Sequence, residues 1–287
     1  MPENPSISLA SSGLRASIEP DPYQPGGYIL DIDGTPQSHV FIDDPGEVFF
    51  EYIRRMAHVL DEIGEPGEPI TVVHLGGGAL TLPRYIEATR PGSRQQVIEL
   101  ERDLIDFVRE HLPLQKSANV RIRYGDAREI MNKLPTGLRG TVDAVIVDVF
   151  SGARTPAHVT SLEFYQEAAA LLSPRGVLIV NVADGPGLAF ARGQVATIHA
   201  VLPHVMALAE AQVLKGRRFG NVVVVGSHDG SVGEMLPRLL AGGPHPASAV
   251  SGKELKAFTA SAPIVTDNTA IASPSPNKTI FQIAQKR

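Results

Sequence analysis

The sequence predicts an α/β fold in which strands and helices alternate, and three observations carry that prediction. A strand runs into three glycines and a helix start at Val72-Val73-His74-Leu75-Gly76-Gly77-Gly78-Ala79-Leu80. Short apolar runs then recur with helical stretches between them, the pattern of a parallel sheet with crossover helices. Finally, an acid follows each of the next three runs: Glu99 and Glu101 after Gln96-Val97-Ile98, Asp126 after Val120-Arg121-Ile122-Arg123-Tyr124-Gly125, and Asp148 after Val142-Asp143-Ala144-Val145-Ile146-Val147. Ligands of open α/β sheets bind beyond the carboxyl ends of the strands, where these acids stand. The order reads as a nucleoside-binding domain.

The chain has 287 residues, of which 43% are apolar, enough for a sizeable core. It has no cysteine, which excludes disulfides, thiolate metal sites and cysteine nucleophiles and fits a reducing compartment. A net charge of −5 without a basic run argues against a nucleic-acid partner. No stretch approaches the ~20 apolar residues that span a bilayer, and Met1-Pro2-Glu3-Asn4-Pro5 does not open like a secretion signal. These observations predict a cytoplasmic protein with neither a membrane nor a nucleic-acid partner.

Three parts are expected. Residues 1–46 hold a small β-hairpin domain, with alternation on both sides of the Asp33-Gly34 turn. Residues 47–240 form the main domain, opening with a helix from Glu47 to Ile63 on Val48, Tyr52, Met56, Val59, Leu60 and Ile63. Its later helices are expected over Leu82 to Thr89, Arg102 to His111, Arg128 to Leu134, Leu162 to Leu172 and Gly187 to Leu202, the fourth started by a capping box of Thr160 and Glu163. After the strand Gly176 to Val182, runs at Val205 to Leu214 and Asn221 to Gly226 read as a hairpin. An antiparallel closing hairpin distinguishes a Rossmann-like, class I methyltransferase-type sheet from a dinucleotide-dehydrogenase sheet, which continues with a parallel strand. Residues 241–287, rich in Gly, Pro, Ser and Ala, read as a covering tail, partly mobile, with a short capped helix at Ser251-Gly252-Lys253-Glu254.

Each candidate site residue has a plainer reading beside the functional one. Gly76, Gly77 and Gly78 lack the third glycine of the dinucleotide fingerprint, and many α/β turns contain glycines; their functional use is close backbone approach to a ligand. Glu99 either accepts from ribose hydroxyls or favours a helix start, and Glu101 is read as a solvated charge. Asp126 with Ala127 either meets an adenine amino group or caps the next helix. Asp148 either takes a proton from a nucleophile or caps its loop. The nine histidines show no metal-ligand spacing, so no metal is expected. Arg217 and Arg218 read as a solvated turn.

Together with Leu30-Asp31-Ile32-Asp33-Gly34-Thr35-Pro36-Gln37, these elements resemble the spermidine synthase family of aminopropyltransferases from about Tyr28 to Leu214. Glu163-Phe164-Tyr165 and Leu171-Leu172-Ser173-Pro174-Arg175-Gly176-Val177-Leu178 also match. The resemblance implies transfer of an aminopropyl group from decarboxylated S-adenosylmethionine to a small-molecule amine. It further implies Asp148 as proton acceptor, Glu99 on the ribose, Asp126 on the adenine, no prosthetic group and a homodimer. Four positions fall in the implied substrate pocket: Gln37, Phe50, Ala79 and Ser151. The family usually carries Asp where this chain has Ala79 and where it has Ser151, and Tyr-Gln-Glu where it has Phe49-Phe50-Glu51. Losing two carboxylates, at roughly 1.5–3 kcal/mol each, lowers diamine affinity about 100-fold or more. An altered acceptor is therefore expected, with Phe150 and His158 on the loop where it enters. An S-adenosylmethionine-dependent methyltransferase and a non-catalytic nucleoside-binding protein remain as alternatives. Thr266-Asp267-Asn268 resembles a Thr-Asp-Asp element of some relatives and is either a turn or a pocket cover.

Overall fold

The computed structural model describes residues 4–275. The amino-terminal part is larger than a hairpin: β1 (Ser6–Ser8), β2 (Arg15–Pro20), β3 (Gly27–Ile32) and β4 (Thr35–Phe41) form a four-stranded antiparallel sheet in sequence order. Asp33 and Gly34 join β3 to β4 with both residues at positive φ (52° and 78°), and the Asp31 carboxylate accepts the Gly34 N–H at 2.6 Å. This turn hand matches the twist of the strands it connects. Ala16, Ile18, Leu30 and Val40 form the apolar face of the small sheet, which packs on Leu104, Phe107 and Val108 of the main domain.

The main domain begins with α1 (Glu51–Asp61), four residues later than expected, because Val48 already turns into the core ahead of the helix. Alternation then follows as predicted: β5 (Thr71–Leu75), α2 (Thr81–Thr89), β6 (Arg94–Glu99), α3 (Arg102–His111), β7 (Val120–Tyr124), α4 (Ala127–Asn132), β8 (Val142–Val147), α5 (Leu162–Ala169), β9 (Leu172–Asp184) and α6 (Ala189–Val201). Ser161, one residue beyond the expected Thr160, caps α5, its Oγ accepting the Phe164 N–H at 3.2 Å. β10 (His204–Glu210), a short α7 (Ala211–Leu214) and β11 (Gly220–Ser227) supply the closing hairpin.

With β12 (Ala247–Ser251) the sheet order is β12-β10-β11-β9-β8-β5-β6-β7, parallel from β9 to β7 and antiparallel through β11, β10 and β12. Its eighth strand comes from the stretch read as tail: α8 (Leu236–Gly242) leads to β12 (Ala247–Ser251) and α9 (Gly252–Thr259). Ser251 stands at the start of α9 without a side-chain capping bond. All five residues of β5 are buried. Val73, Leu75, Val145 and Val147 face one core with α5 and α6, and Val72, Ala144 and Ile146 face the other with α1 and α2. Strand order reverses between the central strands β5 and β8, so the glycine loop and Asp148 meet at their carboxyl ends, the crevice where α/β folds bind ligands.

Candidate active site

A cavity of about 630 Å³ lies over the carboxyl ends of β5, β6 and β8, a size common for small-molecule sites. Gly76, Gly77, Gly78, Glu99, Asp126, Ala127, Asp148, Gln37 and Ser151 all line it. Two expected pocket residues do not. Ala79 is fully buried against the amino-terminal sheet, and its N–H donates to Ser38 Oγ at 3.2 Å. Phe50 packs its ring among His39, Phe49 and Tyr52, and Tyr52, not Phe50, reaches the cavity wall.

The glycine loop is shaped by contact with the next strand. Gly76 has φ +94°, and a Cβ there would stand 2.2 Å from the Asp148 carbonyl oxygen, so no other residue fits without displacing backbone. The Gly77 N–H donates to Glu99 Oε2 at 2.7 Å, while Glu99 Oε1 accepts the Glu101 N–H at 3.1 Å. Glu99 thus braces the loop and still presents unused lone pairs to the cavity. Glu101 is not the solvated charge expected: it is 8% exposed and accepts the Ser11 N–H at 3.2 Å, which hangs the β1–β2 turn over the cavity.

Asp126 does cap α4, accepting the Glu129 N–H at 3.0 Å, but its second oxygen meets His158 Nε2 at 2.7 Å and the residue also lines the cavity. Burial opposes its ionisation, but the Glu129 N–H, His158 and the Arg128 N–H outweigh it and hold the carboxyl below the usual range. His158 therefore sits at the Asp126 end of the cavity.

Asp148 is half-buried at the cavity floor. Asn181 Nδ2 donates to its Oδ1 at 2.8 Å, and Asn221 Nδ2 donates to Asn181 Oδ1 at 2.9 Å. The Tyr52 hydroxyl donates to Oδ2 over a longer 3.5 Å. Burial pushes the carboxyl up to about 6, against the opposing pull of Asn181 and Tyr52, while burial and the Asp148 charge raise the Tyr52 hydroxyl. A carboxylate poised near neutrality is suited to accepting a proton. Sequence reasoning missed Asn181 and Asn221; the available signal was an amide inside each of two valine-rich strands, on the face that Asp148 shares.

The segment around Thr266-Asp267-Asn268 both turns and covers. The Thr269 N–H donates to the Thr266 carbonyl at 2.9 Å, and Asp267 takes Arg128 in a two-pronged pair at 2.7 and 3.0 Å. Ser161 donates to Asp267 at 2.5 Å, and further along Thr155 donates its N–H to Ser273 Oγ at 2.8 Å, bringing Ala272 to the cavity wall. Arg217 and Arg218 lie away from the cavity, on Gln212 and Glu210. Among the described residues there is no group of three or more His, Cys, Asp or Glu placed to hold a metal, and no helix is long and apolar enough to cross a membrane.

Residues 49–210 match the model of the spermine/spermidine synthase domain. The chain belongs to that family. A polyamine aminopropyltransferase of Vibrio vulnificus is 31% identical over 135 residues, covering 47% of this chain and 44% of the relative. One from Chromobacterium violaceum is 28% identical over 151 residues, 51% and 54% of the two chains. The chain spans about half the length of these curated relatives. A probable spermidine synthase from Corynebacterium glutamicum superposes with a TM-score of 0.81 at 29% identity, over 93% of this chain and 97% of the other. Human methyltransferase-like protein 13, at 18% identity and a TM-score of 0.53 over 67% and 93%, shares the fold. The family is one of transferases of polyamine biosynthesis, and its sheet is of the methyltransferase type.

Proposed function

We propose that the chain transfers an aminopropyl group from decarboxylated S-adenosylmethionine to an amine acceptor that differs from the usual diamine, with Asp148 accepting the proton. Asp148 carries this reading: its carboxyl, pushed up to about 6, stands at the switch point of the sheet on the same cavity as Glu99 and Asp126. In this reading Glu99 accepts from the ribose hydroxyls and Asp126 from the adenine amino group, with Gly76, Gly77, Gly78 and Ala127 leaving room for the nucleoside. The sulfonium already makes the adjacent carbon electrophilic, so the protein's work is to align a neutral amine and remove its proton. An amine resembling the Lys side chain, with a pKa near ~10.4, is mostly protonated in water; desolvation in the cavity lowers that value, and Asp148 accepts the proton released as the C–N bond forms. Asn181, held by Asn221, fixes the direction of the accepting oxygen. Gln37 and Ser151 complete the acceptor side of the wall.

Titration calorimetry with methylthioadenosine, decarboxylated S-adenosylmethionine and intact S-adenosylmethionine tests the donor. Micromolar binding of the first two with weaker binding of the third is expected. Preference for the intact donor would move the reading to methyl transfer, in which the cation on the cavity wall is Arg154, whose Nε and Nη2 already donate to the Ser273 and Ala272 carbonyls. No binding by any of the three would leave Glu99 and Asp126 as structural braces alone.

A further inference from the structure

Side chains alternate across a strand, so Ile146 and Asp148 share the face of β8 that α1 covers, and His74 is the register partner of Ile146 in β5. Ile53 of α1 and Leu82 and Pro83 of α2 close this corner, and all of them line the cavity with Asp148. Ile53, Leu82 and Ile146 are buried apolar side chains. The corner therefore has one carboxylate at its mouth and an apolar wall beyond it. In the transfer reading the other acids on the cavity are already assigned: Glu99 and Asp126 to the ribose and adenine, while Glu101 accepts the Ser11 N–H.

His74 adds one polar atom to this corner, and its neighbours determine which kind. Gln95 Nε2 donates to the Pro83 carbonyl at 3.0 Å, so Gln95 Oε1 is the atom that meets His74 Nε2 at 2.9 Å. An amide oxygen only accepts, so Nε2 carries the proton and Nδ1 keeps a lone pair. Burial lowers the imidazole to about 4, so the ring is neutral at physiological pH. A neutral acceptor among isoleucine and leucine suits a hydroxyl, whereas to a second ammonium it offers one hydrogen bond and no counter-charge against the cost of desolvation. Adjacent strands ~4.8 Å apart and two residues of ~3.3 Å place the Cα atoms of His74 and Asp148 roughly 8 Å apart, the reach of a short alkyl chain.

We infer that the acceptor is a short amino alcohol: one primary amine presented to Asp148, an apolar chain over Ile53, Leu82 and Ile146, and a hydroxyl donating to His74 Nδ1. This rests on the aminopropyl-transfer reading and names its acceptor class. The amine lone pair attacks the carbon beside the sulfonium, the C–N bond forms, and the C–S bond breaks with its electron pair going to sulfur. Methylthioadenosine leaves, and the amine proton passes to Asp148.

The test uses the full chain and decarboxylated donor with three acceptors of equal carbon length, n-butylamine, putrescine and the matching amino alcohol, following methylthioadenosine release and product mass. The amino alcohol is expected to exceed putrescine in kcat/KM by about tenfold or more, the effect of one hydrogen bond against one uncompensated charge. His74→Leu is expected to shrink the ratio between amino alcohol and n-butylamine about tenfold. Preference for putrescine, no difference between amino alcohol and n-butylamine, or no turnover with any of the three despite donor binding overturns the inference alone. Absence of donor binding overturns the transfer reading and this inference with it.

Discussion

Replacing Asp148 by Asn removes one ionisable group while nearly keeping its shape, and the fold and the reaction should respond in opposite directions. Burial raises this carboxyl from 3.8 to about 6, whereas in the unfolded chain it titrates near ~3.9. Below both values the group is protonated in either state and contributes nothing. As pH rises from about 4 to about 6 the unfolded chain loses its proton first, so ionisation there costs the fold stability, and the full cost remains at higher pH. Two pH units at ~1.4 kcal/mol each set a ceiling of about 3 kcal/mol, and the open cavity, by admitting solvent, reduces this to about 1–2 kcal/mol. Asp148→Asn is therefore expected to melt about 2–3 °C above the native protein at pH 8, with that difference largely lost on approach to pH 4, read by thermal unfolding of both proteins at both pH values. Turnover should fall about 10²–10⁴-fold, the range for a removed general base, with methylthioadenosine affinity nearly unchanged. An identical melting offset at both pH values would refute the cost assigned to this ionisation. Retained turnover would remove Asp148 as the base.

Glu99→Gln should weaken methylthioadenosine binding about 10–100-fold by loss of charge-assisted hydrogen bonds, measured by calorimetry; unchanged affinity would reduce Glu99 to a brace for Gly77. Gly76→Ala places a methyl 2.2 Å from the Asp148 carbonyl at φ +94° and should cost about 3 kcal/mol or more in denaturant unfolding, so a native midpoint would contradict the loop geometry. Asn181→Ala removes a donor that lowers the Asp148 pKa, so the rising limb of the pH–rate profile should move from about 6 to higher pH, with kcat reduced and donor affinity kept. A limb that stays in place would show that Asn181 only fills space.

The parts of the site that were legible in the sequence are those set by local chemistry. An acid at the end of an apolar run stays at a strand end whatever the rest of the chain does, which is why Glu99, Asp126 and Asp148 reach one cavity. Gly76 was legible for the same reason, since it stands at the strand end where backbones crowd. What escaped depends on pairings distant in sequence. Asn221 meets Asn181 because β11 inserts beside β9, and neither amide advertises that pairing. β12 escaped because Ala247-Ser248-Ala249-Val250-Ser251 has small residues on both faces and so lacks an apolar alternation. Ala79 follows the glycines directly, but Leu80 at φ +59° starts α2 beneath the small sheet, and Ala79 is buried there instead of on the cavity. The same division separates the two ends of the site. In the proposed reading the nucleoside acids stand at strand ends, whereas α1 supplies Tyr52 and Ile53 to the wall beside Asp148. Under that reading, substitutions in α1, where Tyr52 reaches the wall and Phe50 does not, redirect the acceptor without disturbing Glu99 and Asp126. Under the proposed transfer reading, a change of acceptor on an unchanged donor site is thus the direction of divergence that this architecture makes least costly.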